Sequence, residues 1–182
     1  LYLDDLKNKT IRGLEGQKLR GFSAGENVYG YCTNPIGELK LNRKGQAKYE
    51  GMVHKINPEE AELVKRIFKE FSEGKSAHKI AIQLNQESVP TKKKLRGGWN
   101  ISTLSRMLRN EKYIGKWNWR KTKNVRDPMT GKKKSVLRPE KDRVLIFRED
   151  LIIIDKETWE KTQKRLEELK GIHKFFTDFK RG

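Results

Sequence analysis

The residues of this chain that could make or break bonds are three histidines, one cysteine and scattered serines and carboxylates. None is placed to do so. His54, His78 and His173 are not paired at metal-ligand or general-base spacing, so each reads as structural or solvent-exposed. Cys32, the sole cysteine, leaves no internal disulfide and no multi-cysteine zinc site, and reads as a small buried hydrophobe. Ser23 and Ser72 have no base partner visible in sequence. The carboxylates fall on helical faces beside Lys and Arg, where i,i+4 pairing accounts for them, so the cluster a metal-dependent nuclease needs is missing. No GxxxxGK[ST] or GxGxxG run cradles a phosphate. The expectation is a chain with no catalytic residue, metal or cofactor of its own.

The chemistry the sequence does offer is recognition of phosphates and base edges. Lys and Arg number 42 against 24 Asp and Glu in 182 residues, a formal charge of +18. A small domain stays soluble with about 2–8 charges, so the excess points to a polyanionic partner. Its distribution says more than its size. Segment 57–73 carries five acids and three bases, and segment 156–170 five bases and four acids. By contrast, 7–20 holds Lys7, Lys9, Arg12, Lys18 and Arg20 against one acid. Segment 92–96 holds Lys92, Lys93, Lys94 and Arg96 with none. Segment 116–134, with Arg120, Lys121, Lys123, Lys132, Lys133 and Lys134 among its bases, is net +7. A solvated face needs no such segregation, whereas phosphate contacts do.

These groups must be positioned by elements, and the periodicity predicts them. Residues 1–22 read as a helix weakened at Gly13, Gly16 and Gly21. Residues 23–56 read as loop-rich, with turn signals at Asn34-Pro35 and Gly45. Asn57-Pro58-Glu59-Glu60 resembles a capping box, and Val64, Ile67, Phe68 and Phe71 form one apolar stripe up to Gly74. A second helix starts at Ser76 with Ala77, Ile80, Ala81 and Leu84 on one face. A third, 101–109, buries Ile101, Leu104 and Leu108 and turns Ser102, Thr103, Ser105, Arg106 and Arg109 outward, side chains of the kind that reach base edges and phosphates. About fourteen residues link the second and third helices, against the usual 3–4 of a helix-turn-helix. Alternation predicts a strand over 113–119, with further strands at 144–147 and 151–154. Asp155 caps a last helix with Trp159, Leu166 and Leu169 inward, ending at Gly171. The reading is an α+β, mainly helical domain: a helix-turn-helix-like bundle with a small antiparallel sheet or hairpin and a long N-terminal helix. No run of 18 apolar residues spans a membrane.

The order Tyr29-Gly30-Tyr31, Ile56-Asn57-Pro58-Glu59-Glu60-Ala61, Ile67-Phe68, Gly74, Ile80-Ala81, Leu84-Asn85, Trp99, Leu108, Asn110 and Tyr113-x-Gly115 resembles the recombinase domain of large serine recombinases, which include phage integrases and transposon resolvases. The likeness covers about residues 20–170. It implies that 1–22 is the end of a long helix from a catalytic serine domain, 23–171 the DNA-binding domain, and 172–182 a tail toward a zinc ribbon. It also implies duplex DNA at an attachment half-site and other recombinase subunits as partners, in the cytoplasm, on a mobile element. The alternative is a basic RNA-binding protein, which would show exposed stacking aromatics; here the aromatics fall on apolar faces.

Overall fold

A computed structural model describes the chain except residues 1, 24, 26, 42–44, 46, 93–97, 120 and 180–182; of residues 2–4, 7, 47, 48, 142 and 171–179 it describes the backbone alone. The architecture is α+β, with five helices and small antiparallel ribbons among the described residues. Helix takes 47% of the residues, so "mainly helical" overstates it. The chain divides into two compact units, a helical one of residues 26–32, 55–114 and 151–182, and an extended one of residues 1–25, 33–54 and 115–150.

In the helical unit, α2 (Pro58–Ser72), α3 (Ala77–Gln86) and α4 (Ile101–Leu108) are followed by the long α5 (Lys156–Phe179). The expected stripe of α2 is the core: Val64, Ile67, Phe68 and Phe71 are at most 1% exposed. Ile80, Ala81 and Leu84 of α3 are buried as expected. Tyr113 organises the centre. Its ring stacks on Tyr31 at 5.9 Å and meets Phe68 edge-on at 5.6 Å. Its hydroxyl donates to the Tyr29 carbonyl, and its own carbonyl accepts from the N–H groups of Ile153 and Ile154. Burial raises the pKa of both Tyr31 and Tyr113. Gly30 has φ +93°, and a Cβ there would stand 2.9 Å from the Ile153 side chain, so only glycine fits beneath this cluster. Arg165 of α5 donates to the carbonyls of Phe71 and Gly74 and lies 4.7 Å over the Phe71 ring, tying α5 to the end of α2.

In the extended unit, α1 (Tyr2–Leu19) turns at Gly21 into Phe22, which bridges Val53. Arg148 donates to the Gly21 carbonyl while paired with both carboxylate oxygens of Asp150. β2 (Lys40–Leu41) pairs with β3 (Ala47–Lys48), β5 (Lys116–Trp119) with β8 (Val144–Phe147), and β6 (Thr122–Arg126) with β7 (Lys133–Leu137), all antiparallel. β1 (Tyr31–Ile36) pairs with β4 (Gly51–Ile56), and both strands pass from one unit into the other.

Several sequence expectations are corrected. Asn34-Pro35 lies within β1, not at a turn; in a two-stranded ribbon a proline can keep its missing donor on the outer edge, and the turn falls at Gly37, φ +83°. The strand over 113–119 shortens to 116–119, because residues 111–114 close a 3₁₀ turn and Gly115 has φ +79°. Residues 151–154 form no strand; the N–H groups of Ile153 and Ile154 bond the single Tyr113 carbonyl rather than a ladder. The capping box fails: the Asn57 side chain makes no cap bond. Glu60 instead accepts from the Gly30 N–H at 2.8 Å and pairs with Lys92. Ile101, at the first position of α4, is 52% exposed, and Met107 takes its place in the core. Leu169 is 44% exposed, and α5 continues past Gly171, which a long helix tolerates for about 1 kcal/mol. Cys32 is half-buried, its thiol 3.6 Å from the Lys55 carbonyl.

Candidate nucleic-acid interface

Helix α4 is placed by its two ends and its buried stripe. Asn85, on the last turn of α3, accepts from the Trp99 N–H at 2.7 Å and donates to the Trp99 carbonyl at 2.8 Å. The Trp99 indole N–H donates to the Val89 carbonyl. The fourteen-residue link is thereby pinned at both ends, and Asn100 next caps α4 by accepting from the Thr103 N–H at 2.9 Å. Leu104, Met107 and Leu108 are at most 6% exposed, which fixes the rotation of the helix.

The face expected to point outward is in fact two faces. Thr103 and Arg106 line a cleft of about 500 Å³ together with Tyr29, Trp99, Met107 and Asn110. Ser102 and Arg109 are exposed outside it, with Ser105 half-buried beside them. The Arg106 Nε–H donates to the Ser102 carbonyl at 3.2 Å, and Arg109 bonds the Ser105 carbonyl and hydroxyl. Both guanidinium groups thus follow the helix surface rather than crossing to an acid. Tyr29 and Asn110 were not among the sequence-predicted site residues; Asn110 lies two residues beyond α4, whereas Tyr29 reaches the cleft through tertiary folding, without a local signal.

The basic segments have different fates. Lys92 donates to both Glu60 oxygens, at 2.7 and 2.8 Å, and to the Tyr31 carbonyl at 2.7 Å. Its three donors therefore serve the fold. Lys93, Lys94 and Arg96 lie outside the described residues, as do Arg120 and the side chain of Lys7. Arg12 of α1 and Arg20, just past its end, are exposed, but Lys18 is only 6% exposed. Lys121, Lys123, Lys132, Lys133 and Lys134 are all exposed on the β6–β7 ribbon. The structure thus gathers cations on that ribbon in the extended unit, and polar donors on α4 in the helical unit. Among the described residues, no three His, Cys, Asp or Glu side chains come together as a metal site requires, and no helix is long and apolar enough to cross a membrane.

The sequence matches the family described as Recombinase over residues 58–169, from the first residue of α2 through most of α5. The chain belongs to the Recombinase family. This is the recombinase domain of the serine recombinases, and membership ties the chain to site-specific DNA recombination. The matched span of this recombinase domain contains α4, the cleft wall it forms and the whole β6–β7 ribbon; α1 and strands β1–β4 precede it.

Proposed function

We propose that this recombinase domain binds duplex DNA sequence-specifically, as the part of a serine recombinase that recognises an attachment half-site. Helices α3 and α4 act as a helix-turn-helix-like pair with an extended link, and α4 enters the major groove. The observation that carries this reading is the fixed rotation of α4: the buried Leu104, Met107 and Leu108 leave Ser102, Arg106 and Arg109 exposed on a short, firmly capped helix. Arginine pairs with guanine O6 and N7, and small hydroxyls serve either base or phosphate. The lysines of β6–β7 hold phosphates, and the glycine-bearing α1, with Arg12 and Arg20 exposed, lies near the minor groove. Lys92 and Lys18 are left out of the contact set, since one is engaged by Glu60 and the other is buried. Other recombinase subunits are the protein partners, and the setting is the cytoplasm. Catalysis is not assigned to any residue of this chain.

Binding-site selection from a random duplex library tests the assignment. Arg106→Ala is expected to cost about 1–3 kcal/mol and relax preference at one base position. Lys133→Ala is expected to weaken all sequences alike. Identical, uniform losses from both variants would remove α4 as the base reader.

A further inference from the structure

The β6–β7 ribbon carries more than phosphate chemistry. Every residue from 121 to 137 is exposed, so among the described residues nothing buries either face of the ribbon. A lone two-stranded ribbon is marginal in water, yet this one has a defined register and a built turn. The Asp127 carboxylate accepts from the N–H groups of Met129 (2.9 Å) and Thr130 (3.1 Å), and Gly131, φ +66°, returns its N–H to the Asp127 carbonyl at 2.9 Å. The only acid of the segment is thus used at the tip.

The register then sorts the side chains. Thr122↔Leu137, Asn124↔Ser135 and Arg126↔Lys133 share one face; Lys123↔Val136 and Val125↔Lys134 share the other. Like charges directly opposite each other destabilise a ribbon, and Arg126 opposite Lys133 is such a pair. A polyanion lying against that face would turn the repulsion into attraction. Between the two cations and the base of the ribbon stand Asn124 and Ser135, side by side, a pair able to donate and accept. The opposite face alternates Lys with Val and offers cations without any amide or hydroxyl. The size also fits: five residues of strand span about 17 Å, and the major groove admits a two-stranded ribbon.

We propose that β6–β7 enters a DNA groove with the Asn124/Ser135 face toward the base edges, as a second sequence-reading element, Asn124 pairing with adenine while Arg126 and Lys133 flank it on phosphates. This rests on the duplex-binding reading above. The experiment is binding-site selection with the full chain and with Arg106→Ala, Asn124→Ala, Ser135→Ala, Lys123→Ala and Lys134→Ala; thermal melting checks that each of these surface variants folds like the parent. Asn124→Ala is expected to lose about 5- to 150-fold discrimination for adenine at one position. Ser135→Ala is expected to relax the same block, and that block lies apart from the one Arg106→Ala relaxes. Lys123→Ala and Lys134→Ala lower affinity for every sequence alike. If Asn124→Ala and Ser135→Ala leave the selected sequence unchanged while Arg106→Ala still relaxes it, the ribbon is not a reader and α4 stands alone. If the parent chain selects no sequence, both readings fall together.

Discussion

Asn85 offers the sharpest test of how α4 is held. Its side chain makes two hydrogen bonds to one residue, the N–H and carbonyl of Trp99, whose side chain is 3% exposed. Gly98, φ +57°, packs so closely that a Cβ there would clash with the Asn85 amide oxygen, so the contact is tight as well as polar. Each bond contributes about 0.5–1.5 kcal/mol net. Asn85→Ala removes both at once and is expected to cost about 1–3 kcal/mol, a fall in melting temperature of roughly 2–12 °C for a chain of this size. Gln86→Ala, on the exposed neighbour, is the control and is expected to stay within about 0.5 kcal/mol. Urea unfolding followed by circular dichroism reads both. Because Asn100 follows Trp99 directly, Asn85→Ala is also expected to bind DNA more weakly without changing the preferred sequence. A stability equal to that of Gln86→Ala would refute the clamp, and with it the claim that the long link is rigid at its end.

Two further outcomes follow from buried groups. Thr162 is 0% exposed, and its hydroxyl has no hydrogen-bond partner among the described residues; Thr162→Val keeps the shape and is expected to raise stability by about 1 kcal/mol, measured by the same unfolding assay. Burial raises the pKa of Tyr31 and Tyr113 in the folded state above the ordinary value near 10, so the unfolded chain releases these protons first; their contribution to stability is full below about pH 10 and declines as pH rises beyond it. Ultraviolet titration is expected to show both phenols still protonated above about pH 10, and their ionisation at the ordinary value would contradict it.

What could be read from sequence was whatever rests on local periodicity. The α2 stripe and the Ser76 cap depend on near neighbours and are where spacing put them. What was missed depends on partners far along the chain. Glu60 has the position of a capping-box residue, yet the Gly30 N–H and Lys92 compete for it and win, since they offer a charge-assisted bond in a half-buried setting. The alternation through Tyr113 is that of a strand, but its carbonyl is claimed by two N–H groups some forty residues away. For the same reason the outward face of α4 looked uniform: Tyr29, brought in from far along the chain, helps divide it into a cleft wall and an exposed edge. Charge segregation marked segment 116–134 as basic, whereas Lys92 and Lys18 show that a basic residue in a basic segment can still belong to the fold.

The salt dependence of binding by the full chain to a selected duplex, with RNA of the same sequence as the competitor, tests duplex-DNA recognition most directly. Each phosphate neutralised contributes a slope of about −0.9 in log affinity against log salt for duplex DNA. With several exposed lysines on β6–β7 engaged, the expected result is a steep, linear fall over orders of magnitude, with duplex DNA preferred throughout. An affinity flat in salt, or RNA bound as tightly as the duplex, would contradict the assignment of this recombinase domain as a duplex-DNA reader.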